Sequence, residues 1–266
     1  MADDAMTTSA ASASVPFDRI AERYEATRGG LERGRRFASA MAPYLTPSST
    51  VLEICVGTGA IAQPLADAGH AVVGLDLSRP MLDIAATRLP GMLLHGDATV
   101  LPITDRSVDA VVAVWAVHVV GDFDALVDEV HRVLRPGGVW LVVSPTPDVD
   151  SNDLTDIAHR YAQVLERGWD RAHLLAPRLS GAGFDLIDDV VTGEHHFTES
   201  PTARAASIER REWSTLWDLD DATWARLVQP VLDDLRALPE PDRPRACVHR
   251  HRLSVYRSTR STADQS

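Results

Sequence analysis

The sequence predicts an α/β fold in which a doubly wound, seven-stranded and mostly parallel sheet lies beneath a helical lid. Three observations predict it. Apolar runs of strand length alternate with amphipathic segments through the first half of the chain. A glycine-rich turn follows the first apolar run, and four further strand-like runs come after it in the same half, with helical segments among the connections. Strands that are apolar throughout are typical of a parallel sheet covered on both faces.

Five strands and their connecting helices make up the predicted core, residues 49–145. The predicted strands share a run of apolar residues and lie at 51–56, 71–75, 91–95, 108–115 and 139–143. The helices between them are predicted at 60–68, from Pro80 onward and at 123–134. Pro80 suits a first helical turn, where its missing N–H costs nothing. Two helices with apolar residues at helical spacing, 17–27 and 31–44, lie in the preceding segment 15–48 and are expected to belong to the lid.

The pattern changes in the segment 146–258. Helices are predicted at 153–167, 171–180, 201–217 and 223–238, and strands at 184–191, with an extension toward Phe197, and at 246–257. Two late strands with helices between them suggest an antiparallel addition to the sheet edge, with the helices on the substrate side. The ends, 1–14 and 259–266, have no periodicity and are expected to be disordered tails.

Composition narrows the class of partner. The chain has 266 residues, 45% of them hydrophobic, and its 38 acidic residues outnumber 26 basic residues, all of them arginine. Such an acidic chain without a basic stripe is a poor binder of nucleic acids or membranes. No apolar run reaches the roughly 20 residues that span a bilayer, and the acidic start is unlike a secretory signal. Two cysteines supply neither a disulfide scaffold nor a zinc cluster. We therefore expect a cytoplasmic protein with a small-molecule partner; the sequence does not indicate its oligomeric state.

The strongest functional signal is the segment 53–59, EICVGTG, between the first strand and the next helix. Glycines let the backbone turn sharply there and approach a ligand closely. Two carboxylates follow at the ends of the next two strands, Asp76 and Asp97. Asp76 can accept hydrogen bonds from both hydroxyls of a ribose, and Asp97 can accept one from an adenine amine. The spacing indicates a nucleoside bound outside the carboxyl ends of the strands.

Two ligands compete for this loop. The pattern Gly57-x-Gly59-x-x-Ala62 is compatible with the dinucleotide fingerprint G-x-G-x-x-G/A. The Glu53 carboxylate would repel a pyrophosphate, whereas it tolerates the sulfonium and ammonium groups of S-adenosyl-L-methionine. Asp97 suits the adenine of that cofactor, and the sequence offers no second dinucleotide half. S-adenosylmethionine is therefore favoured, an NAD-linked oxidoreductase is the weaker alternative, and a protein that binds S-adenosylmethionine without catalysis stays open.

The segment 51–143 resembles the class I S-adenosylmethionine-dependent methyltransferases, in particular the branch of the ubiquinone- and menaquinone-biosynthesis enzymes and many natural-product methyltransferases. The matching segments are VLEICVGTGAIAQPLA, VVGLDLSRPMLDIA, HGDATVLPITDRSVDAVVAVWAVHVV and EVHRVLRPGGVWLVV, and FDRIAERYEATRGG resembles the family's leading helix. The resemblance implies a Rossmann-like methyltransferase fold. It also implies methyl transfer from S-adenosylmethionine to a small organic substrate of the natural-product kind.

The resemblance also implies cofactor contacts. Gly57, Thr58 and Gly59 would pack against the methionine portion and ribose, and Glu53 and Cys55 are predicted as further cofactor-binding residues of the same loop. Asp76 would bind the ribose. Leu77 and Met81 would flank the adenine, Asp97 with Ala98 would read its edge, and Val114 and Trp115 would line the floor beside the methionyl group. Cys55 stands where the family usually has a glycine, and Ala60 stands where another is common.

The candidate residues for chemistry and for substrate lie outside the glycine loop. Methyl transfer requires a nucleophile held in line with the leaving sulfur, and a base only when that nucleophile must lose a proton. His118 follows the fourth strand and is the candidate catalytic base, with helix capping or packing as the alternative. Tyr24 on the leading helix could close the pocket or touch the methionyl carboxylate, with core packing as the alternative. Arg28 could meet a carboxylate, with a solvated side chain as the alternative. Trp213 and Trp217 are four apart, so we expect them on one helical face, as a core contact or as an aromatic wall for substrate.

Four histidines occupy the two late strands, His195 with His196 and His249 with His251. Residues 249 and 251 share a face by the two-residue period of a strand. If the strands pair, the imidazoles could meet. No cysteine or acidic ligand pattern accompanies them, so no metal site is predicted.

Overall fold

The computed structural model describes residues 16–146, 152–165, 172–217 and 219–259. The predicted tail 1–14 lies outside the described residues, as does the tail 259–266 apart from Thr259. Both tails therefore stay predictions.

Seven strands form one sheet in the order β3-β2-β1-β4-β5-β9-β6. The strands are β1 Thr50–Ile54, β2 Ala71–Asp76, β3 Leu93–His95, β4 Val108–Val114, β5 Leu134–Pro145, β6 Phe184–Val191 and β9 His251–Ser258. β1 to β5 pair in parallel, and β9 runs antiparallel between β5 and β6. The predicted fold class is confirmed. The strand order reverses between β1 and β4, where doubly wound sheets bind ligands beyond the carboxyl ends of their strands.

Ten α-helices in the described part of the chain cover the sheet and build the lid. They are α1 Ala21–Arg28, α2 Gly30–Met41, α3 Ala62–Asp67, α4 Arg79–Ala85, α5 Phe123–Val133, α6 Asp153–Leu165, α7 Ala172–Gly181, α8 Pro201–Glu209, α9 Asp221–Thr223 and α10 Gln229–Ala237. Side chains that accept backbone N–H bonds begin several of them: Ser78 begins α4, Asp122 begins α5, Ser200 begins α8 and Asp220 begins α9. Such caps stabilise a helix by about 1 kcal/mol each.

The apolar strands bury residues on both faces of the sheet, as the sequence predicts. One face of β1 places Leu52 and Ile54 against α5 and α7, in a cluster that also holds Trp140. The other face packs Val51 and its neighbours against Phe37 of α2 and other residues of that cluster. A third cluster joins residues of α6, α8 and α10. The lid helices therefore have their own core.

The predicted strand 246–257 is wrong as one element, because the chain changes sheets at Arg250. β8 Arg245–His249 pairs with β7 His195–Glu199 in a separate two-stranded sheet, whereas β9 joins the main sheet. The backbone N–H and the hydroxyl of Thr146 both donate to the Arg250 carbonyl, at 3.2 and 2.8 Å. The Arg250 guanidinium also pairs with Glu194. These bonds hold the chain at the point where it passes between the sheets.

The predicted helix 201–217 ends at Glu209. Arg211 has a positive φ of 50°, and its guanidinium donates to the carbonyls of Leu216, Trp217 and Leu219. These bonds gather the carbonyls of Leu216, Trp217 and Leu219 around the Arg211 side chain, next to the 3₁₀ turn Ser214–Leu216. The expectation that Trp213 and Trp217 share a helical face is therefore wrong.

No helix in the described ranges is both long enough and apolar enough to cross a membrane.

Candidate functional site

The glycine turn lies where β1 meets α3, at the reversal of strand order. Cys55, Gly57 and Gly59 have φ angles of 53°, 55° and 74°. This left-handed region costs a non-glycine residue such as Cys55 about 1–2 kcal/mol. A Cβ at Gly57 would meet nothing within 4 Å, whereas one at Gly59 would lie 3.3 Å from the Ala85 Cβ. The turn thus packs against α4 at Gly59 and faces open space at Gly57.

Asp76 connects the end of β2 to the glycine turn. Its carboxylate accepts hydrogen bonds from the backbone N–H of Gly57 at 2.7 Å and of Ser78 at 2.8 Å. Burial raises the pKa of Asp76, and hydrogen bonds from the backbone N–H groups of Ser78, Gly57 and Leu77 oppose that effect. Each carboxylate oxygen has a second lone pair, so the group can also accept from hydroxyls of a ligand.

Glu53 is a buried carboxyl group beside the same turn, 2% exposed. Burial raises the pKa of Glu53 well above its usual range, and the Arg33 guanidinium acts in the opposite direction. Its Oε2 atom is buried and has no hydrogen-bond partner among the described residues. Buried carboxyl oxygens usually have a partner, so this atom fits a cationic or hydrogen-bond-donating ligand.

A cavity next to the turn brings several predicted residues together. It is lined by Tyr24, Arg33, Glu53, Cys55, Val56, Gly57, Thr58, Ala60, Ile61 and Val114. Six of these were predicted from the sequence as cofactor residues: Tyr24, Glu53, Cys55, Gly57, Thr58 and Val114. The structure therefore places the leading helix α1 over the glycine turn.

Arg88 ties α1 to that turn. Its guanidinium donates to the Thr58 carbonyl at 2.7 Å and to the Glu25 carboxylate of α1. The Arg88 bond lowers the pKa of Glu25. The position of the N-terminal helix thus depends on an ion pair whose arginine also contacts the cofactor loop.

The predicted adenine contacts lie beyond Asp76, outside the cavity lining. Leu77 is 48% exposed, an unusual position for a leucine, while Met81 and Ala98 are buried. Asp97 is exposed, and one of its oxygens accepts from the backbone and hydroxyl of Thr99, both at 2.8 Å. One oxygen of the Asp97 carboxylate thus stabilises the local turn through Thr99. The exposed Leu77 side chain offers an apolar surface for a flat ring.

Two predicted residues near the end of β4 occupy different surroundings. Trp115 has a φ of 52°, and its ring lies 4.4 Å from the Arg33 guanidinium carbon. His118 is half-buried in the 3₁₀ turn Val117–Val119 and is not among the residues that line the cavity. The Arg28 side chain lies outside the described residues. The structure therefore does not bring His118 to the cavity wall.

The two lid tryptophans have separate neighbours. Trp213 packs on the lid core, and its indole N–H donates to the Ser207 hydroxyl at 3.0 Å. The Trp217 ring lies 4.7 Å from that of Phe17, in the 3₁₀ turn Pro16–Arg19 before α1. Trp217 thus links the N-terminal segment to the lid, whereas Trp213 contributes to lid packing.

Arg33 is a cavity residue that sequence reasoning missed. It is 4% exposed and lies on α2, where positions 33, 37 and 41 share one helical face. Phe37 and Met41 on that face are core residues. An arginine on an otherwise apolar face was the signal that could have identified it.

The two late strands that carry the histidines bring their imidazoles close together, which the sequence had left undecided. His195 is paired with His249 across β7 and β8, and the rings of His249 and His251 lie 6.3 Å apart. Among the described residues, no group of three or more His, Cys, Asp or Glu side chains has the geometry to hold a metal ion. Burial, with His249, Arg33, Arg36 and His195 nearby, lowers the pKa of His251 to about 3.

Lowering the pH from about 7 to about 5 should cost about 2 kcal/mol of unfolding free energy through His251 alone. The unfolded histidine binds a proton below its ordinary pKa of about 6.5, whereas the folded one stays neutral until about pH 3. The contribution of His251 to stability is therefore fully present above the pKa of the unfolded histidine, and it is lost as the pH falls below that value. Urea unfolding at both pH values checks this for the parent and for His251→Asn. Equal losses in the two proteins would contradict it.

The glycine turn and the parallel strands lie in a segment that this chain shares with known proteins. A family model described as a methyltransferase domain matches residues 52–142. Demethylmenaquinone methyltransferase of Streptomyces avermitilis is 37% identical over 196 residues, covering 64% of this chain and 85% of that protein. The demethylmenaquinone methyltransferase of Renibacterium salmoninarum is 37% identical over 131 residues, covering 47% of this chain and 55% of that protein. The chain thus spans about half the length of one relative and most of the other.

Among solved structures, the fold matches phosphoethanolamine N-methyltransferase 2 of Haemonchus contortus, which was solved with S-adenosylhomocysteine. The TM-score is 0.51 at 18% identity, and the match covers 92% of this chain and 61% of that one. This similarity concerns the fold alone.

Proposed function

The chain belongs to the class I S-adenosylmethionine-dependent methyltransferases, close to the menaquinone-biosynthesis branch, and on that premise we propose that it methylates a small organic acceptor of the natural-product kind. The relatives named for demethylmenaquinone support an acceptor with a flat ring. The two free cysteines support a reducing, cytoplasmic location. The division into N-terminal lid helices 15–48, core 49–145 and substrate-side segment 146–258 is part of this proposal.

The observation that carries the proposal is the unpaired, buried Glu53 oxygen next to the glycine turn. S-adenosylmethionine supplies an activated methyl group on a sulfonium, with an ammonium group nearby on its methionyl portion. Glu53 would face these positive groups, and Gly57 and Thr58 would leave room for the methionyl portion. A dinucleotide pyrophosphate would instead bring negative charge toward a buried acidic group, which is unfavourable.

The nucleoside would lie over the end of β2. Asp76 would accept from the ribose hydroxyls while its bonds to Gly57 and Ser78 hold the loop in place. Leu77 would contact the adenine, and the Asp97 oxygen that does not hold Thr99 would accept from the exocyclic amine. These roles place the methyl group toward Val114 and Trp115 and beneath Tyr24.

Calorimetry with the full chain tests the cofactor. We expect micromolar binding of S-adenosylmethionine and of S-adenosylhomocysteine and no measurable binding of NAD. Binding of NAD without S-adenosylmethionine would instead support the oxidoreductase alternative. Binding of S-adenosylmethionine without methyl transfer to any member of a panel of quinols, phenols and aromatic acids would support a non-catalytic binding protein.

His118→Ala should lower turnover by at least about tenfold while cofactor affinity stays within about threefold of the parent. A neutral imidazole that accepts the acceptor's proton typically contributes about 10²–10⁴-fold. His118→Asn keeps a polar side chain without the base, so it should be equally slow. Steady-state turnover at saturating cofactor is the measurement. If both variants turn over like the parent, His118 is a packing residue of its 3₁₀ turn.

A further inference from the structure

Five basic side chains gather on the α2 side of the proposed methyl-transfer site. We call them the basic cluster: Arg33 and Arg36 of α2, His195 and His249 of the β7–β8 hairpin, and His251 at the start of β9. His251 is opposite Pro145, the last residue of β5, so the cluster lies at the carboxyl edge of the parallel strands. Arg33 belongs both to the cluster and to the lining of the cavity. The cluster therefore adjoins the position where an acceptor has to approach the methyl group.

Two members of the basic cluster carry buried nitrogen atoms without partners. His251 is 4% exposed, and its Nδ1 has no hydrogen-bond partner among the described residues. The Arg36 atoms Nε and Nη2 are likewise buried and unpartnered there, while its Nη1 donates to the Glu194 carbonyl at 3.1 Å. Buried nitrogen atoms are normally satisfied, and a charged one without a partner is costly. These atoms therefore point to a ligand that accepts hydrogen bonds.

The charges around the basic cluster favour an anion. Burial and the neighbouring positive groups lower the pKa of His195 as well as that of His251, and burial lowers the pKa of Arg36. Glu32 is exposed and forms no ion pair with Arg36, and Glu194 is held by Arg250 and His196. Glu53 lines the cavity together with Arg33, and the Arg33 guanidinium acts to lower the pKa of Glu53. No carboxylate in the described ranges forms a salt bridge with Arg36 or His251.

Aromatic rings lie next to two imidazoles of the basic cluster. The ring centroids of Phe37 and Trp115 lie 5.1 and 5.0 Å from that of His251, and the ring centroid of Phe197 lies 4.4 Å from that of His249. The Trp115 indole N–H is also buried without a partner in the described part of the chain. Flat apolar walls next to one cationic guanidinium and neutral ring nitrogens without partners suit a planar ring that carries an ionised oxygen.

We propose that the basic cluster anchors an oxyanion of the methyl acceptor, either a carboxylate or an ionised phenol or enol oxygen on a planar apolar ring, with Arg36 and His251 as its donors. The inference rests on the proposed function and narrows its acceptor class to aromatic or similarly flat acids. Arg36 supplies the charge and His251 a directed hydrogen bond. Charged hydrogen bonds of this kind contribute about 1.5–3 kcal/mol each, or about tenfold to hundredfold in affinity.

Three probes test the anchor by calorimetry with the full chain at saturating S-adenosylhomocysteine. Benzoate represents the carboxylate, 4-nitrophenolate the phenolate, and benzamide is the neutral control, at a pH where both acids are ionised. We expect at least one anion to bind about tenfold or more tightly than benzamide. The anion that binds identifies the source of the oxyanion. Equal binding of all three, or none, overturns the proposal.

Variants locate the anchor. Arg36→Gln and His251→Asn should each weaken binding of the anion by about tenfold, with S-adenosylhomocysteine affinity within about twofold. Arg243→Gln removes an exposed arginine paired with Glu240 and should change neither affinity. If Arg36→Gln weakens S-adenosylhomocysteine rather than the anion, the cluster serves the methionyl carboxylate and the proposal fails. If the parent does not bind S-adenosylhomocysteine, the proposed function fails first, and benzoate binding alone then still tests the anion site.

Discussion

Replacing Gly34 by alanine should destabilise the protein by about 3 kcal/mol or more and remove tight cofactor binding. A Cβ at residue 34 would lie 1.8 Å from the Ala60 carbonyl oxygen and 2.7 Å from its carbon. These are backbone atoms of the segment that follows the glycine turn, so no side chain can rotate to relieve the overlap. α2 would have to move away, taking Arg33 and Phe37 with it. Urea unfolding and calorimetry with S-adenosylhomocysteine measure the two effects.

Gly181→Ala is the matched control. Gly181 ends α7, and a Cβ there would meet nothing within 4 Å. Alanine is favoured over glycine in a helix by about 0.5–1 kcal/mol, so this variant should unfold at the same or higher urea concentration. A Gly34→Ala protein as stable as the parent would show that α2 does not pack on residue 60 as described.

The fold was predictable because its signals are local. Apolar runs and the turn at residues 53–59 predict the five parallel strands. The position of Asp76 beside that turn was predictable because the residue ends the second strand. In the late segment, local patterns predict the strand 184–191 correctly but miss the break in the last predicted strand. The alternation from 246 to 257 is continuous in the sequence, whereas the strand pairings show that the chain changes sheets at Arg250. There the Thr146 hydroxyl donates to the Arg250 carbonyl, and the Arg250 guanidinium pairs with Glu194.

The residues of the candidate site also divide into those that local sequence predicts and those that depend on tertiary packing. Glu53, Gly57 and Thr58 line the cavity because they are neighbours in sequence. Arg33 and His251 come from elements more than two hundred residues apart, and no period in the sequence relates them. Their common surroundings depend on the packing of α2 against the end of the sheet, which a pattern of local propensities does not describe.

Asp76→Ala should weaken S-adenosylmethionine binding by about tenfold to hundredfold, which corresponds to about 1–3 kcal/mol. Two losses contribute: the ribose hydroxyls lose their acceptor, and the N–H groups of Gly57 and Ser78 lose the carboxylate that holds the turn. Calorimetry with S-adenosylmethionine and with S-adenosylhomocysteine should show equal losses, because both carry the same ribose.

Asp109→Ala separates the ribose contact from a general effect of losing a strand carboxylate. Asp109 also accepts a backbone bond, from Thr50 at 2.7 Å, and it pairs with Arg135 at the opposite, amino-terminal edge of β4. Its loss should lower the free energy of unfolding while leaving cofactor affinity unchanged. If both aspartate variants bind S-adenosylmethionine like the parent, the ribose does not lie at the end of β2. In that case the cofactor has to be placed elsewhere along the carboxyl edge of the sheet.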